Sequence, residues 1–170
     1  MCMDGADPPA SLLQMKRVLL TGISGTGKST VINKLGELGY KVFDTDYGGF
    51  TVDVDSGAGP ERLWRDDPIQ EVLSADDADV LFISGTSRNQ VKFYPQFDHI
   101  VLLSAPAHVL VERLTARTNN PYGKKSEEVA ETLRLLQTVE PLLRGSATLE
   151  IDTSTPLEHV ITAILDHALP

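Results

Sequence analysis

The chain has 170 residues, of which 41% are apolar and 23% are charged, ordinary values for one globular domain. Its net charge of −9 opposes binding to a nucleic-acid backbone, which requires a basic surface. No run approaches the ~20 apolar residues that span a bilayer, and no basic-then-apolar leader is recognised. Neither nucleic acid nor a membrane is therefore expected as a partner, and the expected compartment is the cytoplasm.

Short apolar runs alternate with helical patterns along most of the chain. Residues 1–14 lack such a pattern and are expected to form a disordered tail before a single domain over 15–170. Strands are predicted at 18–21, 41–43, 79–83, 99–103 and 148–151. A loop is predicted over 46–60, and helices at about 28–38, 60–73, 106–117, 126–143 and from 156 onward. This alternation indicates parallel crossover connections and an α/β sheet covered on both faces.

A glycine-rich turn follows the first predicted strand. Residues 22–29, GISGTGKS, match the P-loop (Walker A) pattern G-x-x-x-x-G-K-[ST] in full. Its backbone N–H groups and the following helix N-terminus attract phosphate oxygens. The motif predicts an ATP site in which Lys28 reaches the β- and γ-phosphates and the Ser29 hydroxyl binds Mg²⁺. The other residues expected to contact the phosphates are Ser24, Gly25, Thr26, Gly27 and Thr30.

The guanine-recognition motif of GTPases is missing from its expected place. Such proteins need Asn-Lys-x-Asp after a later strand, whereas Asn33-Lys34 lies in the first predicted helix and is followed by Leu35-Gly36. A GTPase is therefore disfavoured.

Two carboxylates follow the second predicted strand. Asp44 and Asp46 stand at its carboxyl end, where parallel sheets bind ligands. This Asp-x-Asp resembles the shikimate kinase branch of the P-loop small-molecule and nucleoside monophosphate kinases. The resemblance implies that Asp44 positions magnesium or the attacking hydroxyl, and that Asp46 binds a substrate hydroxyl. The alternative is a pair of solvated loop aspartates.

Further residues resemble the acceptor side of these kinases. The sequence Leu63-Trp64-Arg65 is similar to a Phe-Arg pair of the shikimate kinases, which implies that Arg65 holds an anionic group. After the third strand, shikimate kinases carry a triple glycine and adenylate kinases an Asp-Gly-x-x-Arg, and neither is intact here. Gly85 is still expected to let substrate approach the backbone, and Arg88 to pair with an anionic acceptor. Surface arginines are the alternative at both arginine positions.

Two arginines precede the predicted lid, a polar loop at about 117–126. Arg113 and Arg117 lie four residues apart, on one face of a predicted helix. Adenylate kinases have this spacing at the same place, which implies that Arg113 stacks on adenine and Arg117 stabilises the transferring phosphoryl group. The alternative is an ordinary basic pair at a helix end. After the last strand, residues 153–156, with Thr155 as the chosen contact, are expected at the adenine edge.

One stretch departs from the shikimate kinases, which carry an arginine before a Pro-Leu-Tyr on the helix after the lid. Residues 139–143 read VEPLL here and have no arginine before the proline. Arg134 and Arg144, which lie about a turn away, are the alternatives for its role. The chain is therefore not assigned as a shikimate kinase.

Together these patterns predict a P-loop three-layer α/β sandwich, with a five-stranded parallel sheet in the order 2-3-1-4-5. The predicted activity is in-line transfer of the γ-phosphate of ATP to a hydroxyl or phosphate of a small metabolite. Lys28, Mg²⁺ and Arg117 would neutralise the phosphates while Asp44 orients the nucleophile. Two alternatives stay open: a nucleoside monophosphate kinase that uses Arg65 and Arg88, or a P-loop ATPase or nucleotide sensor that acts on a protein partner. A monomer and a homodimer are equally compatible with the sequence.

Overall fold

Five parallel strands form the central sheet of the computed structural model, which describes residues 14–118 and 123–169. The sheet has the order β2-β5-β1-β6-β7. Counted among these five alone, the order is 2-3-1-4-5, so the predicted fold class is confirmed. The five strands are β1 (Lys16–Thr21), β2 (Lys41–Asp44), β5 (Val80–Ser84), β6 (His99–Ser104) and β7 (Leu149–Asp152).

Helices cover both faces of this sheet because its strands are apolar on both sides. In β1, Val18 and Leu20 pack on one face of the sheet, with the helices Lys28–Glu37 and Leu157–Ala168, whereas Leu19 packs on the other face, with the helix Asp66–Ser74 and a 3₁₀ helix. This is the arrangement that a parallel sheet requires. The helices are α1 (Lys28–Glu37), α2 (Asp66–Ser74), the 3₁₀ helix (Arg88–Gln96), α3 (Ala107–Ala116), α4 (Ser126–Thr138), α5 (Glu140–Ser146) and α6 (Leu157–Ala168). No helix in the described ranges is long and apolar enough to cross a membrane.

The segment between β2 and α2 was predicted wrongly. Instead of a loop and an early helix start, it forms an antiparallel hairpin of β3 (Thr51–Asp55) and β4 (Pro60–Trp64), and α2 begins only at Asp66. The hairpin turn contains Gly57 and Gly59 with φ of 81° and 122°, values that favour glycine. Proline is accepted both in the first turn of a helix and at the start of an edge strand, so Pro60 did not discriminate between them.

The helix predicted over 126–143 is interrupted. α4 ends at Thr138 and α5 begins at Glu140, with Pro141 in its first turn. Proline has no backbone N–H and its ring clashes with the preceding turn, so the two helices do not join. Residues 119–122 of the expected lid and residues 1–13 of the expected tail lie outside the described residues, so both assignments stay predictions.

Two histidines meet at the edge of the core. His99 begins β6 and His167 lies in the last turn of α6, with their ring centroids 4.6 Å apart. Partial burial, followed by the charge of His167, lowers the pKa of His99 below its usual 6.5. The folded state therefore favours a neutral His99, and its contribution to stability is complete above pH 6.5 and declines as the pH falls below that value.

We expect His99→Gln to reduce the acid sensitivity of the fold. Between about pH 7 and about pH 5 the melting temperature of the unmodified protein should fall further than that of the variant, by roughly 2 °C, because His99 remains partly exposed. Thermal unfolding followed by circular dichroism at each pH measures this difference. His108→Gln, on the exposed surface of α3, is the control and should follow the unmodified protein. Parallel curves for all three proteins would contradict the expectation.

Candidate functional site

The glycine-rich loop connects β1 to α1 at the carboxyl end of the sheet. Gly25 and Gly27 have φ of 89° and 95°, which allows the loop to turn back on itself before α1 begins. Inside this turn Lys28 Nζ donates to the carbonyl oxygens of Gly22 (2.5 Å) and Ile23 (3.1 Å). The Lys28 ammonium group is therefore held inside the loop by these two carbonyls, and its contact with the β- and γ-phosphates stays a prediction.

The charge of Lys28 is poorly solvated. Desolvation lowers its pKa to about 8, against the opposing effect of the carboxylates of Asp46 and Asp44, and the nearby Arg117 lowers it further. An anion that enters beside Lys28 favours its charged form. The loop thus provides an ammonium group whose charged form is stabilised by a nearby anion.

A cavity of about 590 Å³ opens beside the loop. Apolar side chains of α1 and α6, among them Val31, Leu157 and Val160, form part of its wall. Most of the residues predicted for the nucleotide and the phosphoryl group line this cavity, together with Asp46, which was predicted for the acceptor. They are Ser24, Gly25, Gly27, Lys28, Ser29, Thr30, Arg113, Arg117 and Thr155. Residues from four separate parts of the chain therefore meet in one place.

Thr26 has a different position from the one expected. It is fully buried, and its hydroxyl donates to Ile23 O at 2.8 Å. It therefore braces the loop from behind rather than lining the cavity.

Ser29 and Asp44 form the pair predicted to bind magnesium. Ser29 Oγ donates to Asp44 Oδ2 at 3.2 Å, and the backbone N–H of Asp46 donates to Asp44 Oδ1 at 3.0 Å. Desolvation raises the pKa of Asp44, and these two hydrogen bonds oppose the rise. A hydroxyl and a carboxylate suit Mg²⁺, which takes few protein ligands and keeps several waters. The described residues contain no cluster of three or more His, Cys, Asp or Glu side chains suited to a metal.

Arg113 joins the two sides of the cavity. Its guanidinium donates to Gly25 O (3.1 Å), to Thr153 Oγ1 (2.9 Å) and to Thr153 O (2.5 Å). The Thr153 hydroxyl in turn donates to Thr26 O at 2.6 Å. Sequence reasoning chose Thr155 from this stretch and missed the structural role of Thr153, which depends on contacts with Arg113 and with Thr26, residues distant in the sequence.

The three remaining predicted acceptor residues do not line the cavity. Arg65 is exposed and donates to Gly49 O at 2.8 Å, whereas Arg88 is exposed and lies 3.5 Å from a carboxylate oxygen of Glu61. Gly85 faces protein atoms, since an added Cβ would lie 1.9 Å from Thr45 Oγ1. Packing against Thr45 thus explains why position 85 needs a glycine. Contact of Arg65, Gly85 and Arg88 with an acceptor stays a prediction.

Sequence reasoning also missed a brace beneath the two aspartates. Thr45, between them, is buried and donates through Oγ1 to Ser84 O at 2.9 Å. The same oxygen accepts a hydrogen bond from Trp64 Nε1 at 3.1 Å. Asn89 holds the Trp64 backbone, accepting from its N–H and donating to its carbonyl. The orientation of the Asp-x-Asp turn therefore depends on the hairpin through its last residue, Trp64.

A second missed contact holds the start of the loop. The Thr86 hydroxyl donates to Gly22 O at 2.5 Å and accepts from Gly22 N at 3.2 Å. Thr86 follows β5, so the segment after that strand is tied directly to the phosphate loop. In the sequence, the position of Thr86 two residues after the apolar run of β5 was the one feature that could have indicated this contact.

This sheet order, with a Walker A loop and a cavity at its carboxyl end, defines a P-loop protein of the nucleotide-binding kind. The AAA domain family (AAA_18) matches residues 18–134, more than half of the chain. The chain belongs to this family.

Curated relatives are more distant. A nucleotide-binding protein of Thioalkalivibrio sulfidiphilus (strain HL-EbGR7) is 24% identical over 171 residues, covering 89% of this chain and 54% of the relative. The chain therefore spans about half the length of that relative. A shikimate kinase of Caldicellulosiruptor bescii is 27% identical over 142 residues, covering 77% of this chain and 83% of the relative.

The fold is also seen in solved structures. A shikimate kinase from Acinetobacter baumannii in complex with shikimate has a TM-score of 0.60 and 20% identity to this chain, covering 96% of it and 100% of the kinase chain. At the level of fold, the resemblance to P-loop small-molecule kinases is confirmed.

The brace beneath the aspartates gives a stability prediction. Gly85→Ala should cost about 1–3 kcal/mol of folding free energy, because the new methyl group overlaps the Thr45 side chain. Adding Thr45→Ala should make the double variant more stable than the sum of the two single losses predicts. Denaturant unfolding measures all three variants.

Gly145→Ala is the matched control, because a Cβ there meets nothing within 4 Å. It should leave stability unchanged or raise it by up to about 1 kcal/mol. A Gly85→Ala variant as stable as this control would contradict the packing explanation.

Proposed function

We propose that the protein is an ATP-dependent phosphotransferase that moves the γ-phosphate of ATP to a hydroxyl group of a small metabolite. The observation that carries the proposal is the shared cavity, where Lys28 of the phosphate loop, Asp46 and Arg117 lie around one space beside the Ser29–Asp44 pair. Cations for the phosphates and carboxylates for the acceptor are the groups that phosphoryl transfer requires together.

Nucleotide binding begins with Lys28. In the free protein its ammonium group is satisfied by the Gly22 and Ile23 carbonyls, and desolvation has lowered its pKa to about 8. The phosphates of ATP offer it a stronger, charged acceptor, so its proton is retained on binding. Arg117, which also lines the cavity, would add a second positive charge for the transferring phosphoryl group.

The base of the nucleotide has an apolar wall available. Val31, Leu157 and Val160 supply aliphatic surface, and Arg113 supplies a planar guanidinium held in place by Thr153. Apolar walls with a few fixed polar groups are typical of cofactor sites. This arrangement supports Arg113 and Thr155 as contacts of the adenine base.

The two aspartates have different surroundings, which supports different roles. Asp44 is half-buried and engaged by Ser29, and with that hydroxyl it would hold Mg²⁺, which supplies neutralisation of phosphate charge when bound. Asp46 is exposed on the cavity wall near Lys28. Its carboxylate is therefore the better placed of the two to bind the acceptor hydroxyl.

A hydroxyl acceptor is favoured over a nucleoside monophosphate. The latter needs cations that converge on its phosphate, whereas Arg65 and Arg88 point to Gly49 and Glu61 and do not line the cavity. That one relative and one structural neighbour are shikimate kinases supports a small-molecule acceptor.

The acceptor differs from shikimate in our proposal. Glu140 stands where shikimate kinases have an arginine, and it is buried in an ion pair with Arg144 at 2.8 Å. That position therefore offers no free cation for a substrate carboxylate.

Nucleotide binding is tested with Lys28→Ala. We expect the variant to fold normally but to bind MgATP at least about tenfold more weakly, because it loses a charge-assisted contact to the phosphates. Isothermal titration calorimetry measures the affinity, and Lys34→Ala, on the same helix but outside the cavity, is the control. Unchanged affinity in Lys28→Ala would remove the basis of the nucleotide site.

The chemistry is tested with the two aspartates. A screen for ADP release with sugars, hydroxy acids, nucleosides and nucleoside monophosphates first identifies an acceptor. Asp44→Asn should then lower transfer by roughly 10²-fold or more, the scale for a lost positioned carboxylate. Asp46→Asn should chiefly raise the KM of the acceptor and leave ATP affinity unchanged. Asp166→Asn, exposed on α6, is the control.

The outcomes separate the proposal from its alternatives. Near-normal transfer in both aspartate variants would contradict the kinase mechanism. ATP hydrolysis that no small molecule stimulates would favour an ATPase or sensor with a protein partner. Stimulation by nucleoside monophosphates alone would favour a nucleoside monophosphate kinase.

A further inference from the structure

The carbonyl oxygen of Gly22, the first residue of the phosphate loop, accepts two side-chain hydrogen bonds. Lys28 Nζ donates to it at 2.5 Å from within the loop, and the Thr86 hydroxyl donates to it at 2.5 Å from the segment after β5. Gly22 is itself buried. Since a carbonyl oxygen has two lone pairs, its acceptor capacity is filled by these two protein donors.

A chain of hydrogen bonds fixes the direction in which the Thr86 hydroxyl donates. At one end Gln90 Nε2, which can only donate, donates to Thr21 Oγ1 at 3.2 Å. At the other end the Gly22 carbonyl can only accept, so the proton of Thr86 lies on that bond. The hydroxyls of Thr21 and Thr86 are 3.1 Å apart, and Thr21 is therefore the donor between them. Thr21 and Gln90 are buried, so the protein interior holds this chain in place.

Lys28 is the donor that a nucleotide would remove. It lines the cavity, and the phosphates of ATP are stronger, charged acceptors than the two loop carbonyls that it contacts in the free protein. One of these carbonyls has a second donor within the loop, because Ile23 O also accepts from the Thr26 hydroxyl at 2.8 Å. The carbonyl of Gly22 depends for its second side-chain donor on Thr86, which belongs to another segment.

We propose that Thr86 is a positioning residue that allows Lys28 to leave the loop for the nucleotide, because it keeps the Gly22 carbonyl hydrogen-bonded after the lysine has moved. A buried acceptor that loses its last donor is costly, and that cost would oppose nucleotide binding. Thr86 acts through Gly22 and needs no contact with the nucleotide itself. This inference rests on the proposed function, since it concerns the release of the same lysine to ATP.

The variant Thr86→Val tests this role with MgATP as the ligand. Valine resembles threonine in shape but has no donor, so in the complex the Gly22 carbonyl would lose both side-chain donors. We expect MgATP to bind about tenfold more weakly in isothermal titration calorimetry, the scale for one stranded buried acceptor. The bonds of Thr86 to Gly22 N–H and to Thr21 are lost in the free and the bound protein alike and do not change the affinity. Thr86→Ser keeps the hydroxyl and should bind MgATP normally.

A double-mutant cycle with Lys28→Ala separates this role from a general distortion of the loop. Without the lysine, the Gly22 carbonyl lacks that donor both before and after MgATP binds. Thr86→Val should therefore change the affinity of the Lys28→Ala protein by less than about twofold, the scatter expected for independent effects. A merely structural Thr86 would lower the affinity by the same factor in both backgrounds. Calorimetric titration with a large excess of MgATP covers the weaker affinities.

Two further variants complete the set. Thr138→Val is the matched control, because Thr138 is exposed on α4 and its hydroxyl donates to the backbone carbonyl of Arg134. Its affinity for MgATP should equal that of the unmodified protein. Thr86→Cys is a weak donor of similar size, and it replaces Thr86→Val if valine impairs folding.

The possible results are distinct. Weaker binding in Thr86→Val that is restored in Thr86→Ser and disappears in the Lys28→Ala background supports the inference. Normal affinity in Thr86→Val means that the lysine reaches the phosphates without giving up Gly22, and it overturns the inference alone. Equal losses in both backgrounds, or no restoration by serine, overturn it as well. Failure of the unmodified protein to bind MgATP overturns this inference together with the proposed function.

Discussion

The arrangement of the candidate site depends on the desolvated ammonium group of Lys28. A cation among loop carbonyls is stable only if opposite charge is near, and the carboxylates of Asp44 and Asp46 supply it from the neighbouring edge of the sheet. Arg117 acts in the opposite direction and lowers the pKa of Lys28. The free site therefore holds a desolvated cation whose charged form an entering polyphosphate would stabilise.

The position of those aspartates is determined by a chain of contacts that leads away from the cavity. Thr45 fixes the turn that carries them, Trp64 holds Thr45, and Asn89 holds the Trp64 backbone. The hairpin is thereby connected to the catalytic edge of the proposed enzyme. Trp64 of the hairpin thus contacts, through its indole N–H, the turn that carries the aspartates.

Much of the site was predictable because its chemistry is local in sequence. The phosphate loop needs its glycines, lysine and serine within eight residues, and Asp44 and Asp46 are recognisable by their place after a strand. For Arg65 and Arg88 the sequence provided the positive charge but not the contact that each side chain makes. The direction of an exposed side chain depends on neighbours, here Gly49 and Glu61. The hairpin was missed since Pro60 suits the start of either a helix or an edge strand.

The sequence by itself indicated the α/β class and the phosphate loop, because hydrophobic periodicity and a contiguous motif depend on neighbours along the chain. The strand order was implied by the resemblance to P-loop kinases, and the structure confirms it. Only the tertiary structure decided how distant segments complete the site. It joins Thr153 to the loop through Arg113, fills the space above Gly85 with Thr45, and brings the Thr86 hydroxyl to the Gly22 carbonyl. Each of these depends on strand register and packing between residues far apart in the chain, which no local pattern encodes.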